Sequence, residues 1–223
     1  MSYPPAPWKA TGFVAQSLKL IDVEKARRFV PPELTVVPVL PGKTLGAVYL
    51  AEYGPGSALE YNELIVAPAL TRRGSVIRFW ISHIYVDNPD SMAGGREIWG
   101  LPKEIAQFTW SPDRREIEVR QDGQRLCRLH SGQPHWLFPV PVLLPTFSIL
   151  GKDLLTFTAS LWGQMGLAGN ELDVPADSPF ADFSLNPRGW TLFMRNVRFV
   201  AGAPRVVAPL SAHIEFSAHQ PGE

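Results

Sequence analysis

Residues Ile84 to Trp110 read IYVDNPDSMAGGREIWGLPKEIAQFTW, and they set one lysine, Lys103, directly after Pro102 among the apolar side chains Ile98, Trp99, Leu101, Ile105 and Phe108. A lysine held out of water sheds its proton more readily, because burial penalises the ammonium and lowers the pKa by as much as ~3–5 units. The neutral amine is then a nucleophile toward ketones. The plainer alternative makes Lys103 and Glu104 two solvated charges after a turn, since lysine is rarely buried without a partner.

Outward from this stretch the chain reads mostly as strands. Just upstream, Gly74 to Asp87, GSVIRFWISHIYVD, is rich in aromatic and β-branched residues and is the strongest strand candidate. Leu34 to Val39, Thr44 to Tyr53 and Glu60 to Leu70 precede it, with Gly42, Gly54-Pro55-Gly56 and Arg73-Gly74 as turns. Thr11 to Leu20 alternates apolar and polar positions, and Asp22 offers an N-cap to a short helix, Val23 to Val30, that Pro31-Pro32 stops. Downstream, Gln107 to Pro112, Arg115 to Gln121 and Arg125 to His130 form a meander with a tight Asp122-Gly123 turn. Leu154 to Gly163 and Trp190 to Val207 return to strand, Pro175 to Leu185 is turn-rich, and Gln220 to Glu223 reads as a frayed end. Beyond the first helix, only one turn near Ser91 to Gly95 carries a helical signal.

Leu137 to Leu150 is the most apolar run, yet it is shorter than the ~20 residues a membrane-spanning helix needs. Pro139, Pro141 and Pro145 favour extended backbone there. The run packs over the sheet, forms a subunit contact, or is ordinary core. The economical arrangement is a mainly β (α+β) single domain over residues 1–223, its predominantly antiparallel sheet closed into a barrel because closure removes exposed strand edges.

With 223 residues, 45% hydrophobic and 19% charged, the chain is long enough to bury a substantial core in one domain. Its 21 basic residues balance 21 acidic ones, so no net field draws it to nucleic acid or to a membrane surface. Neutrality suits association into a homo-oligomer. A single cysteine, Cys127 in QRLCRLH, excludes an intramolecular disulfide and a cysteine-rich zinc site, and reads as a buried structural thiol in a reducing, cytoplasmic setting. MSYPPAPWKATG lacks the basic and apolar regions of a secretory signal.

His83, His130, His135, His213 and His219 never take the spacing of a helical zinc site, and His83 reads as a core residue of its strand. There is no GxSxG elbow, and Gly94-Gly95 lacks the rest of a phosphate loop. Arg72-Arg73 and Arg114-Arg115 are short pairs in turns rather than a basic patch. Trp80, Trp99 and Trp110 flank the central stretch as core or as pocket wall.

At their spacings, Tyr85, Asp87-Asn88, Gly95-Arg96-Glu97 and Pro102-Lys103 resemble the acetoacetate decarboxylase family. Phe29-Val30-Pro31-Pro32-Glu33-Leu34 is similar to that family's N-terminal element, and Glu60-Tyr61-Asn62-Glu63 to its segment with an active-site glutamate, which falls on Glu63. The resemblance covers the first half of the chain well and the second half weakly. It implies a cone-like β-barrel with the lysine inside, a Schiff base between Lys103 and the substrate, and no metal or organic cofactor. Acetoacetate decarboxylase is itself the standing example of a lysine activated by an apolar pocket or a cationic neighbour.

Three positions depart from the family. Glu104 stands where the best-known members carry a second lysine, and a carboxylate there favours the ammonium. Activation therefore rests on desolvation alone, with Glu104 turned away as strand alternation would have it. Val48 falls where a second family glutamate is expected, and Thr11-Gly12 where an N-terminal arginine is expected.

The expected reaction is attack of Lys103 on a small keto-acid substrate, acetoacetate or a related β-keto acid, followed by decarboxylation. Glu63 moves the protons, or forms a salt bridge in the barrel wall. Arg96 and Glu97 clamp the lysine loop as an ion pair, or Arg96 faces the substrate carboxylate. Trp99 and Tyr85 complete the expected substrate site. The same lysine on the same fold also suits a Schiff-base aldolase or dehydratase acting on a keto acid, or a non-catalytic barrel that binds a small molecule.

Overall fold

The computed structural model describes residues 3–185 and 188–209. Sixteen strands join in a single sheet. The first eight are β1 (Trp8–Asp22), β2 (Thr35–Val36), β3 (Pro38–Leu40), β4 (Lys43–Tyr53), β5 (Tyr61–Ala67), β6 (Ala69–Arg73), β7 (Val76–Trp80) and β8 (His83–Val86). The rest are β9 (Lys103–Ile105), β10 (Gln107–Trp110), β11 (Glu116–Gln121), β12 (Gln124–Ser131), β13 (His135–Leu150), β14 (Asp153–Asp173), β15 (Arg188–Ala201) and β16 (Arg205–Pro209). Among the described residues two α-helices interrupt them, α1 (Val23–Arg27) and α2 (Pro89–Trp99), with a single 3-10 turn at Ala181–Phe183.

The main path runs β2-β6-β7-β13-β14-β15-β1-β4-β5-β8-β9, with β12, β11 and β10 branching from β14, β16 also on β14 and β3 on β4. The fold is mainly β, as the sequence predicts. It does not close: β2 and β9 end the path without pairing to each other, which corrects the expectation of a closed barrel. The two ends are strands of only two and three residues. Very short edge strands offer few open ladder groups, so the edge problem is met without closure. Among the described residues, all strand pairs are antiparallel except β7 with β13 and β8 with β9.

The strongest strand candidate divides. Gly74 to Asp87 becomes β7 and β8, because β7 pairs with β6 and β13 whereas β8 crosses to pair with β5 and β9. Glu60 to Leu70 likewise breaks at Pro68 into β5 and β6, as a residue without an N–H requires. Helix α1 ends at Arg27, and the Asp22 side chain makes no cap; its carboxylate instead holds Lys43 at 2.7 Å.

The proline-rich run is strand β13, in register with β14 from Phe138 to Leu150. Pro139, Pro141 and Pro145 are separated by even steps, so their missing N–H groups fall on one edge of the strand. Among the described residues that stretch pairs only with β14, so the edge without donors is the one without a neighbour.

The largest apolar cluster gathers residues such as Leu50, Leu64, Val66, Tyr85, Val119 and Phe147. Cys127 lies within it, and burial pushes its thiol up to about 12. His213, His219 and Gln220 to Glu223 lie outside the described residues. No described helix is long and apolar enough to cross a membrane.

Candidate active site

Parallel neighbours such as β8 and β9 cannot be joined by a tight turn and need a crossover, here helix α2. The sequence supplies its ends. The Asn88 side chain accepts hydrogen bonds from the Asp90 and Ser91 N–H groups at 2.9 and 3.1 Å, and Pro89 follows at the first helical position. Gly100 stops the helix in the left-handed conformation at φ 62°. The chain then enters β9 with Lys103 as its first residue, paired with Ile84.

Alternation decides which neighbour shares the lysine's face. Lys103 is 3% exposed, whereas Glu104 is turned outward and accepts a hydrogen bond from Gln121 Nε2 at 2.8 Å. On the far side of β8, strand β5 presents Glu63, which is 4% exposed. Lys103 Nζ lies 2.8 Å from Glu63 Oε1 and donates to Ser91 Oγ at 3.0 Å. Its nitrogen sits 4.9 Å from the centre of the Tyr61 ring and 5.9 Å from that of Trp8.

This corrects the expectation of activation by dryness alone. Glu63 stands one hydrogen bond from the amine, so the lysine is buried together with a carboxylate partner and not alone. Burial and the Glu63 charge raise the phenol pKa of Tyr49 and Tyr61, which keeps both neutral. Tyr49 also shares a 2.7 Å hydrogen bond with Tyr53.

The lysine and Glu63 face a cavity of about 90 Å3 whose walls are largely apolar, including Ile84, Trp99, Leu101, Leu144, Phe157 and Phe199. Among the described residues no arginine lines it. Two glycines of α2 make the close packing possible. A Cβ on Gly95 would stand 2.4 Å from Cδ of Lys103, and one on Gly94 would stand 2.5 Å from the Trp8 ring.

Of the expected site residues, Lys103, Glu63 and Trp99 come together on this cavity. Trp99 packs edge-on against Trp8 at 4.9 Å and donates to Gly202 O at 2.8 Å, while Trp80 and Trp110 stay in the core packing outside this cavity. Two expected substrate contacts are not on it. Tyr85 alternates to the opposite face from Ile84 and lies in the main core. Arg96 is exposed, and its Nε donates to the Lys103 carbonyl at 2.7 Å, so it braces the backbone that carries the lysine. Glu97 instead accepts from the Tyr3 hydroxyl. Val48 is buried in the main core, and Gly12 packs against the Glu52 carbonyl, so neither place adds a charge to the site.

Ser91, Trp8, Gln16 and Tyr49 were not singled out in the sequence as site residues. Tyr61 had a signal, since it stands two residues before Glu63 in a strand and therefore on its face.

The fold is similar to that of acetoacetate decarboxylase from Legionella pneumophila, with a TM-score of 0.75 and 16% identity over 94% of this chain and 90% of that one. It is also similar to MppR, an enduracididine biosynthesis enzyme complexed with pyruvate, with a TM-score of 0.70 and 16% identity over 94% and 93% of the two chains. In sequence, Protein NEOXANTHIN-DEFICIENT 1 of Solanum lycopersicum is 31% identical over 109 residues, 49% of this chain and 37% of that protein. Its Oryza sativa counterpart is 32% identical over 103 residues, 46% of this chain and 34% of that protein, so the match spans about a third of these relatives. The model of the acetoacetate decarboxylase family matches residues 2–142, more than half of the chain and the part that carries Glu63, α2 and Lys103; the chain belongs to that family.

Proposed function

We propose that the chain is a Schiff-base-forming lyase that decarboxylates a β-keto acid through Lys103, with Glu63 as the proton carrier. One observation carries the reading: a lysine and a glutamate, both almost wholly buried, meet at 2.8 Å on the wall of an apolar cavity. Burying such a pair is expensive, and stability alone is poor grounds for keeping it.

In this mechanism Glu63 takes a proton from the ammonium, and the freed Nζ forms a bond to the ketone carbon. The carbonyl oxygen collects two protons and leaves as water, giving an iminium. The bond to the carboxylate carbon breaks next, its electron pair moves toward the iminium nitrogen, and carbon dioxide departs. Glu63, which has given its proton to the departing water, takes a new one from solvent and passes it to the enamine carbon, after which water adds and the ketone is released with the amine restored. The net change consumes the β-keto carboxylate and one proton and yields ketone and carbon dioxide. The apolar wall supports this direction. Among the described residues the substrate carboxylate finds no arginine there, whereas carbon dioxide and the enamine are neutral.

The same iminium also serves carbon–carbon bond formation, and MppR, of similar fold, was solved with the condensation product of pyruvate and imidazole 4-carboxaldehyde. Release of carbon dioxide from acetoacetate or a longer β-keto acid separates the two readings. Reduction by borohydride during turnover is expected to add the substrate skeleton to the peptide containing Lys103. Glu63→Gln is expected to slow turnover by roughly 10²–10⁴-fold. Failure of every keto acid to leave covalent mass at Lys103 would refute the lyase. The lone buried Cys127 supports a cytoplasmic setting, and exposed Phe138, Leu143 and Trp162 support self-association.

A further inference from the structure

We infer that the substrate carries an alkyl chain beyond its carbonyl, lodged in a second apolar cavity that continues the lysine cavity, so that a medium-chain keto compound fits this site better than acetoacetate; the inference rests on the Schiff-base reading of Lys103. The second cavity holds about 190 Å3 and is lined by Leu18, Leu45, Val142, Met165, Leu192 and Met194. Gln16, Phe79 and Leu144 line both cavities and mark where they meet.

The strand registers explain the continuity. Residues two apart on a strand share a face, so Gln16 and Leu18 on β1, Ala47 and Leu45 on β4, and Thr146, Leu144 and Val142 on β13 form parallel rows. Each row leads from the lysine cavity into the second one. Along β13 the row from Thr146 to Val142 extends roughly 13 Å.

Size and chemistry agree on the occupant. The lysine cavity, at about 90 Å3, has room for little more than the reacting head group, since ordinary ligand pockets hold ~300–1,000 Å3. Among the described residues Gln16 is the only one with a polar side chain in the second lining, and its two methionines adapt to chains of different length. Leu18 is 44% exposed, so the trough ends at solvent and does not cap the chain.

The space on the other side of the lysine cavity suits a chain poorly. A cavity of about 530 Å3 shares Ile81 and Leu101 with it but includes Arg28, Glu33, Ser82 and Ser148. Glu33 Oε2 and Ser148 Oγ are buried there without a hydrogen-bond partner among the described residues. An alkyl chain would leave those groups unsatisfied.

The test is a homologous series on the full chain: unbranched methyl ketones of increasing length for binding by calorimetry, and the matching β-keto acids for turnover and borohydride trapping. Affinity is expected to rise about fourfold for each methylene buried, until the chain reaches the opening at Leu18. Val142→Phe, which fills the second cavity, is expected to flatten the series. Leu18→Trp, at a partly exposed position, gives the same reading at the far end if the first variant does not fold. A flat or falling series in the unmodified chain overturns the inference even when Lys103 is trapped. A steep series with no adduct at Lys103 supports the apolar channel and overturns the Schiff-base reading on its own.

Discussion

Gly95 decides whether Lys103 can sit where it does. A methyl group at that position would stand 2.4 Å from Cδ and 2.7 Å from Cε of the lysine, so Gly95→Ala must push the side chain away from Glu63. Two stability terms oppose each other: alanine favours the helix by about 1 kcal/mol, and overpacking costs about 1–3 kcal/mol. The net change in unfolding free energy is expected to be small, whereas a displaced reacting amine loses on the order of 10²-fold in rate. Thermal unfolding measured beside the rate of borohydride trapping separates them. Trapping at the unmodified rate would show that the close packing has no bearing on the amine. At this scale Lys103 and Glu63 were legible because each lies in a short run with recognisable spacing. Ser91, Tyr49 and Trp8 were not, since they arrive from α2, β4 and β1 and only the tertiary fold brings Ser91 and Trp8 to the lysine nitrogen and Tyr49 to the cavity that nitrogen faces.

The crossover β8-α2-β9 is the element that converts a sequence motif into a site. Its helix was under-read as a single turn because two adjacent glycines weaken the helical signal by about 1 kcal/mol each. Their purpose is room for Trp8 and Lys103. The boundary signals were nonetheless present, with Asn88-Pro89 at the start and Gly100 followed by Pro102 at the end. Asn88 carries the start almost alone: it accepts from two helix N–H groups and also donates to Glu60 O at 3.1 Å. Asn88→Ala is expected to lower unfolding free energy by roughly 1–2 kcal/mol, seen as a lower denaturant midpoint at unchanged slope. It should also slow Lys103 trapping, because Ser91 and Gly95 ride on the same helix. An unchanged midpoint would mean that packing, not the cap, sets where the helix begins.

For the molecule as a whole, strand content was legible from alternation, but closure was not, because pairings such as β1 with β15 and β14 with β12 join residues far apart in the chain. The same long-range packing fixes how the protein responds to acid. His83 on β8 is packed by Phe29, Phe180 and Phe183, and burial pushes its imidazole down to about 4. An unfolded histidine titrates near ~6.5, so above that pH both states are neutral and the stability is full. As the pH falls from about 6.5 toward 4, the unfolded chain binds a proton that the folded one refuses, and stability falls with pH. The loss by about pH 4.5 comes to roughly 2–3 kcal/mol. Asp22 is lowered below the ordinary carboxylate value by Lys43, and Asp113 to about 2 by Ser111 and Arg115, so their contributions are lost only at more acid pH. His83→Gln has no group to protonate there. The difference in unfolding free energy between the unmodified chain and the variant should therefore shrink by roughly 2–3 kcal/mol between neutral pH and about pH 4.5. A difference that stays constant across that range would place the imidazole in water rather than among the three phenylalanines.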